Sequence, residues 1–92
     1  MSARSGYRIE FARQPIRFLH KAPKSLRQRL ASVIDTLQTD SRPPGSKQLV
    51  QSGDVLYRLR VGDYRIIYSI ESHRVLILIL RIGHRRDVYR SL

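Results

Sequence analysis

The chain has 92 residues, enough for one domain with a single small core. It contains no cysteine, which excludes disulfide staples and thiolate-ligated metal sites, and its longest apolar run, Val75–Leu80, is far too short to cross a bilayer. Eighteen lysines and arginines against seven acidic residues leave a net charge of +11, a field that draws polyanions such as nucleic acid or an acidic protein partner.

Residues 1–6 are polar and expected to fray. Tyr7, Ile9 and Phe11 alternate with Arg8 and Glu10, the pattern of a first strand. Ala12–Lys21 is expected to form a short helix, with Pro15 tolerated in its first turn and Ile16 and Leu19 facing inward. Pro23 suits the start of a second helix, in which Leu26, Leu30, Val33, Ile34 and Leu37 recur at the spacing of one helical face. Asp40–Gly45, with its Pro-Pro-Gly, ends that helix in a loop. Lys47–Gly53 has no pattern that assigns it, and is taken as a connector.

From Asp54 onward the chain predicts three successive strands and a basic tail. In the first, Val55, Tyr57, Leu59 and Val61 share one face, and Leu56, Arg58 and Arg60 the other. Gly62-Asp63 makes a two-residue turn of the Gly-X kind. In the returning strand Tyr64, Ile66, Tyr68 and Ile70 face one way, Arg65 and Ile67 the other. A hairpin closed at this turn pairs Val61 with Tyr64 and so sets Arg60 beside Arg65. After a short bridge at Glu71–Arg74, the third strand runs from about Arg74 to Ile82; apolar on both faces, it belongs in the middle of the sheet, beside strand one. Gly83 is expected to turn the chain out of the sheet, leaving His84, Arg85 and Tyr89 at the strand's exit.

The order β-α-α-β-β-β predicts a single α+β domain over residues 1–92, with both helices on one face of a mainly antiparallel sheet. Arg58, Arg60 and Arg65 then share the opposite, solvent-facing side. Every Lys or Arg after position 50 is arginine, which offers phosphate a planar, two-pronged donor that lysine lacks. Blander roles exist for each residue: solvated strand arginines, a turn-capping His84, a Tyr89 that closes the core. The carboxylates are scattered, without the clustering of a two-metal nuclease, and no GxSxG motif supports a serine hydrolase. His20 and His73 have no partner in the sequence.

The order of elements, the hairpin LYRLRVGDYRIIY and the ending LRIGHRRDVY together resemble the RelE/ParE superfamily of bacterial toxin–antitoxin toxins, and more closely its RelE branch, which cuts messenger RNA in the ribosomal A site. The resemblance spans nearly the whole chain and is most specific at Tyr57–Tyr68 and Leu80–Tyr89. It implies cleavage without a metal or cofactor, in which the 2′-hydroxyl attacks the adjacent phosphate. Arg65 and Arg85 match positions of catalytic arginines in RelE-like enzymes, and Tyr89 matches a tyrosine that stacks on or orients the RNA. Arg58 and Arg60 match two positions that are lysine in the best-studied branch, serving proton transfer and phosphate contact. Arginine stays protonated beyond about pH 12 and is a poor base, so His84, with an ordinary pKa of about 6.5, is the expected acid–base group. Lys47 and Arg86 are expected as further RNA contacts. The family's Lys-x-Leu-basic-Gly segment keeps Lys47 and Leu49 here but has Val50 at the basic position, which removes one phosphate contact. The partners implied are an acidic or amphipathic RelB-like antitoxin, the ribosome with its mRNA, and operator DNA through the antitoxin complex; the setting implied is the cytoplasm. The alternative is a ParE-like DNA gyrase poison that acts by binding alone. The grouping of Arg65, His84, Arg85 and Tyr89 favours the nuclease, since a pure binder needs no histidine and tyrosine beside its cations.

Overall fold

In the computed structural model, which describes residues 6–89, the elements are β1 (Arg8–Phe11), α1 (Arg13–Lys21), α2 (Lys24–Thr36), β2 (Ser46–Gln51), β3 (Asp54–Val61), β4 (Tyr64–Glu71) and β5 (Leu76–His84). The strands form one sheet in the order β1-β5-β4-β3-β2, parallel only between β1 and β5. The α+β fold expected from the sequence is the fold observed, with β5 beside β1. Of the frayed end expected at residues 1–6, only Gly6 lies among the described residues.

The apolar stripe of α2 explains where the helices sit. Leu30, Ile34 and Leu37 are buried against Leu59, Val61, Ile66, Tyr68, Ile77, Ile79 and Ile82, which all project from one face of the sheet. Phe18 and Leu19 of α1 pack on the edge of the same core. Burying a side chain of this size contributes roughly 1.5–3 kcal/mol. Tyr68 is fully buried, stacks on Tyr57 at 5.6 Å and donates its hydroxyl to the Ser41 carbonyl at 2.8 Å, which ties the loop after α2 to the sheet.

Four features depart from the expectation. Ile16 of α1, expected to face inward with Leu19, is exposed. The segment taken as a connector contains β2, which pairs antiparallel with β3 from Ser46↔Leu59 to Gln51↔Asp54. The last strand begins at Leu76, after a 3-10 turn at Ser72–Arg74 and a left-handed Val75, and continues to His84. Gly83 therefore does not turn the chain out of the sheet: it lies within β5, opposite Arg65.

A bulge in β5 sets the rest. Ile67 faces Arg81 while the next residue, Tyr68, faces Ile79, so Leu80 is the extra residue. Alternation is reset there. Ile77, Ile79 and Ile82 all reach the helix-side core, and Arg81 falls on the other face with its row partners Ile67 and Arg58.

Beyond Phe11, β1 no longer covers the edge of β5, and a side chain replaces it. The Gln14 amide donates Nε2–H to the Ile82 carbonyl at 2.8 Å and accepts the Ile82 N–H on Oε1 at 2.9 Å. Gln14→Ala leaves both backbone groups without these partners, so a loss of about 1–3 kcal/mol is expected in urea unfolding. Gln14→Glu keeps only the acceptor half and should fall between wild type and Ala.

Candidate functional site

The β3–β4 hairpin builds the site. Gly62 takes φ +61°, a conformation that side chains rarely adopt, so the turn requires glycine. The turn registers Arg60 opposite Arg65, with Cα atoms about 4.5–5.5 Å apart. Two like charges so placed repel, and an anion between them removes that cost. Arg65 is held in place by its own turn: Nη1 donates to the Gly62 carbonyl at 3.1 Å and the Tyr64 carbonyl at 3.0 Å. Its Nε–H and Nη2 donors are left for a ligand.

The chain after β5 folds back on this end of the sheet. The Arg85 N–H donates to the Asp63 carbonyl at 2.7 Å, tying the tail to the hairpin turn and bringing Arg85 to the Arg60–Arg65 end. The N–H groups of Asp87 and Val88 both donate to the His84 carbonyl, closing one tight turn. That turn lowers Val88 onto Leu56 and Ile67, where it is fully buried in a second, smaller apolar cluster. Gly83 lies against it, with the Val88 Cα at ordinary contact distance, 3.4 Å, from where a Cβ would stand. The guanidinium face is thus not wholly open, as the sequence suggested: Val88 covers its apolar centre and leaves the arginines around it.

The expected site residues divide accordingly. Arg58, Arg60 and Arg65 share the face away from the helices, with Lys47 opposite Arg58 in the same row. Arg85, Arg86 and Tyr89 are exposed on the tail. Tyr89 does not close the core; Val88 does that, and the tyrosine ring is free to meet a partner. His84 is separated from the guanidinium face. It pairs with Tyr64, whose ring lies on the helix side against Phe18, and its own ring sits edge-on to Tyr64 at 5.7 Å. Its Nδ1 accepts the Arg86 N–H at 3.2 Å, which leaves the other ring nitrogen to carry the proton in the neutral form. This is the geometry of a turn-building histidine.

Arg81 belongs to the face and was not anticipated. Simple alternation from Ile77 sends it toward the helices, and no residue type in LILILRI marks Leu80 as the bulge. Arg8 pairs with Glu10 and Arg74 with Glu71, and neither arginine belongs to this face. No group of three or more His, Asp or Glu among the described residues is placed to hold a metal ion. No described helix is long and apolar enough to cross a membrane. A groove of about 770 Å³ runs along the uncovered edge of β5 beside α1, lined by Arg13, Phe18 and Tyr64 toward the helices and by Arg81, Asp87 and Val88 from the end of β5 and the tail.

Comparison with known proteins gives a consistent set of relatives. The family model described as the ParE toxin of type II toxin–antitoxin systems, parDE, matches residues 9–89. Toxin RelG of Mycobacterium tuberculosis is 34% identical over 87 residues, covering 91% of this chain and 97% of that protein. The archaeal RelE–RelB complex from Pyrococcus horikoshii superposes with a TM-score of 0.78 at 32% identity, covering 90% of this chain and 99% of the matched one. The RelBE2 toxin–antitoxin complex of M. tuberculosis matches with a TM-score of 0.68 at 28% identity, covering 87% of this chain and 99% of the matched one.

Proposed function

The chain belongs to the RelE/ParE superfamily of type II toxin–antitoxin toxins, and from that premise we propose that it is a ribosome-dependent mRNA endonuclease that cuts without a metal ion and is neutralised by a RelB-like antitoxin. The observation that carries this reading is the convergence of Arg60, Arg65 and Arg85 at one end of the sheet, with Arg85 on a tail that also exposes Tyr89.

The chemistry follows from the donors. Attack of the 2′-oxygen on phosphorus adds negative charge to the phosphoryl oxygens, and fixed donors aimed at that charge lower the barrier. Arg65 is fixed by its two carbonyl contacts, so its remaining donors need little reorganisation. Arg85 approaches from the tail, and the Tyr89 ring offers a surface on which a base can stack, an interaction of about 1–3 kcal/mol. His84, expected as the acid–base group, is assigned instead to holding the turn that presents Arg85. The proton of the 2′-hydroxyl then passes to a group of the RNA or the ribosome. His84→Ala should accordingly lower single-turnover cleavage by less than about tenfold and preserve its pH dependence. A loss of about 10²–10⁴-fold, with the pH profile flattened, would return proton transfer to this histidine.

The antitoxin partner is supported by the neighbours, which are RelE proteins solved with RelB. With a net charge of +11, the toxin suits an acidic or amphipathic segment laid across the guanidinium face, in a contact that weakens as salt screens it. The ParE name of the family model favours one second reading, a gyrase poison. Induction in cells separates the two. The endonuclease reading expects new mRNA 5′ ends by primer extension, within translated frames and absent from a copy lacking its start codon. Intact mRNA with altered plasmid supercoiling would establish the gyrase reading in its place.

A further inference from the structure

The two arginines assigned to the phosphate are held by one short stretch of backbone. Arg65 donates to the carbonyls of Gly62 and Tyr64, and the Arg85 N–H donates to the carbonyl of Asp63 between them. Residues 62–64 are thus a single seat for two side chains from different parts of the chain. Gly62 and Asp63 are exposed, and a turn that depends on glycine has little of its own to stiffen it.

The stiffening comes from the helix layer. The Tyr64 ring meets Phe18 of α1 edge-on at 6.0 Å and His84 of β5 edge-on at 5.7 Å, spacings at which aromatic rings attract. Phe18 is itself fixed in place. It lies one helical turn after Gln14 on the same side of α1, and Gln14 bonds both polar backbone groups of Ile82 in β5. Helix α1 is therefore clamped to the strand edge beside the site, and its next turn sets a ring against Tyr64. From α2, the Arg29 guanidinium lies over Gly62, with Nη2 2.7 Å from where a Cβ would stand. Both helices reach the turn.

We propose that Tyr64 is a positioning residue for cleavage: its ring, set against Phe18 on α1 and His84 on β5, fixes the turn from which Arg65 and Arg85 reach the phosphate. This rests on reading the chain as an endonuclease. The ring lies on the sheet face away from the guanidiniums, so it acts only through the backbone that it steadies. Its carbonyl is one of the two that orient Arg65, and its strand partner His84 precedes Arg85 directly. Small displacements matter there, since a misplacement of about 1 Å costs about 10²-fold in rate.

Two measurements on the full-length toxin test this: single-turnover cleavage on programmed ribosomes, and amide hydrogen exchange followed by NMR. Tyr64→Leu, which keeps apolar bulk and removes the ring, should lower the saturated rate by about tenfold or more and leave half-saturation unchanged. The Arg85 amide, bonded to Asp63, should exchange about tenfold faster. The Tyr7 amide, bonded to Gln38 at the other end of the sheet, should keep its wild-type exchange. Tyr64→Phe should match wild type in both measurements, and Phe18→Leu should reproduce both effects more weakly. A folded Tyr64→Leu with wild-type cleavage and wild-type Arg85 exchange overturns the proposal, as does a change in half-saturation alone. So does a Tyr64→Phe as slow as Tyr64→Leu, which would give the role to the hydroxyl. Should Tyr64→Leu fail to fold, Phe18→Leu decides: faster exchange at Arg85 and Tyr7 alike would make the rings a support of the whole fold and overturn the proposal. Exchange is read without cleavage. A wild type that cuts nothing on ribosomes, with Arg85 loosened selectively in Tyr64→Leu, would defeat the endonuclease reading and leave the aromatic support of the turn standing.

Discussion

Arg65→Ala should lower the rate of single-turnover cleavage on programmed ribosomes by about 10²–10³-fold, the usual cost of deleting one donor to a developing oxyanion, about 2.7–4 kcal/mol. The loss belongs in the saturated rate and not in the toxin concentration needed for half-saturation. Two of the Arg65 contacts are spent on orientation, to the Gly62 and Tyr64 carbonyls, and such pre-positioning matters most where charge develops. Arg65→Lys should rescue little, since one ammonium cannot hold both carbonyls and present paired donors as well. Arg85→Ala should resemble Arg65→Ala, because the Arg85 N–H bond to Asp63 brings its side chain to the same end of the sheet. A variant of Arg65 that changes half-saturation alone would place this arginine in ground-state RNA binding.

Tyr68→Ala should cost about 3–5 kcal/mol, the range for emptying a buried aromatic site. Typical domains have only about 5–15 kcal/mol in total, so this change removes most of the stability of so small a protein. The ring is fully buried between α2 and the sheet and stacked on Tyr57. Tyr68→Phe keeps the ring and loses only the bond to Ser41, about 0.5–1.5 kcal/mol. The phenol also has a pH signature. Burial pushes its pKa up from 10.0 to about 12, because the anion is disfavoured away from water. Below pH 10 the phenol is neutral in both states and the contribution is constant. Between about 10 and 12 the unfolded chain releases the proton and the folded one retains it, so stability falls as pH rises. Urea unfolding at pH 9 and pH 11 should show this extra fall in wild type and its absence in Tyr68→Phe.

The residues explain which parts of the fold could be read from the chain. The α2 stripe and the alternation of Tyr57–Val61 and Tyr64–Tyr68 each have one period and one buried face, and the helices and hairpin followed from them. β2 was illegible for the opposite reason: SKQLVQ is an edge strand with little to bury, and only Ser46 and Leu49 are even partly covered. The bulge was invisible because every residue around Leu80 is aliphatic, so either register satisfies the pattern. That one residue decides whether Arg81 faces the core or the side of the sheet away from the helices. His84 shows a related limit. The sequence placed it beside Arg85, as it is, but His84 is the last residue of β5 and its pairing with Tyr64 puts it on the helix side, while Arg85 begins the turn of the tail.

The pairing of β1 with β5 has a kinetic side. Arg8 meets Leu76, and Gln14 meets Ile82, each across 68 positions of chain, whereas β3, β4 and β5 are joined through tight local connections. Closing a long loop costs entropy that a hairpin does not, and non-local pairing slows folding. The meander should therefore assemble first, with β1 docking last on a strand already in place. Until it docks, β5 is an unprotected edge. On the ribosome that produces it, the chain's first strand emerges long before the one it needs, and its folding is completed only after nearly all of the described sequence has been made.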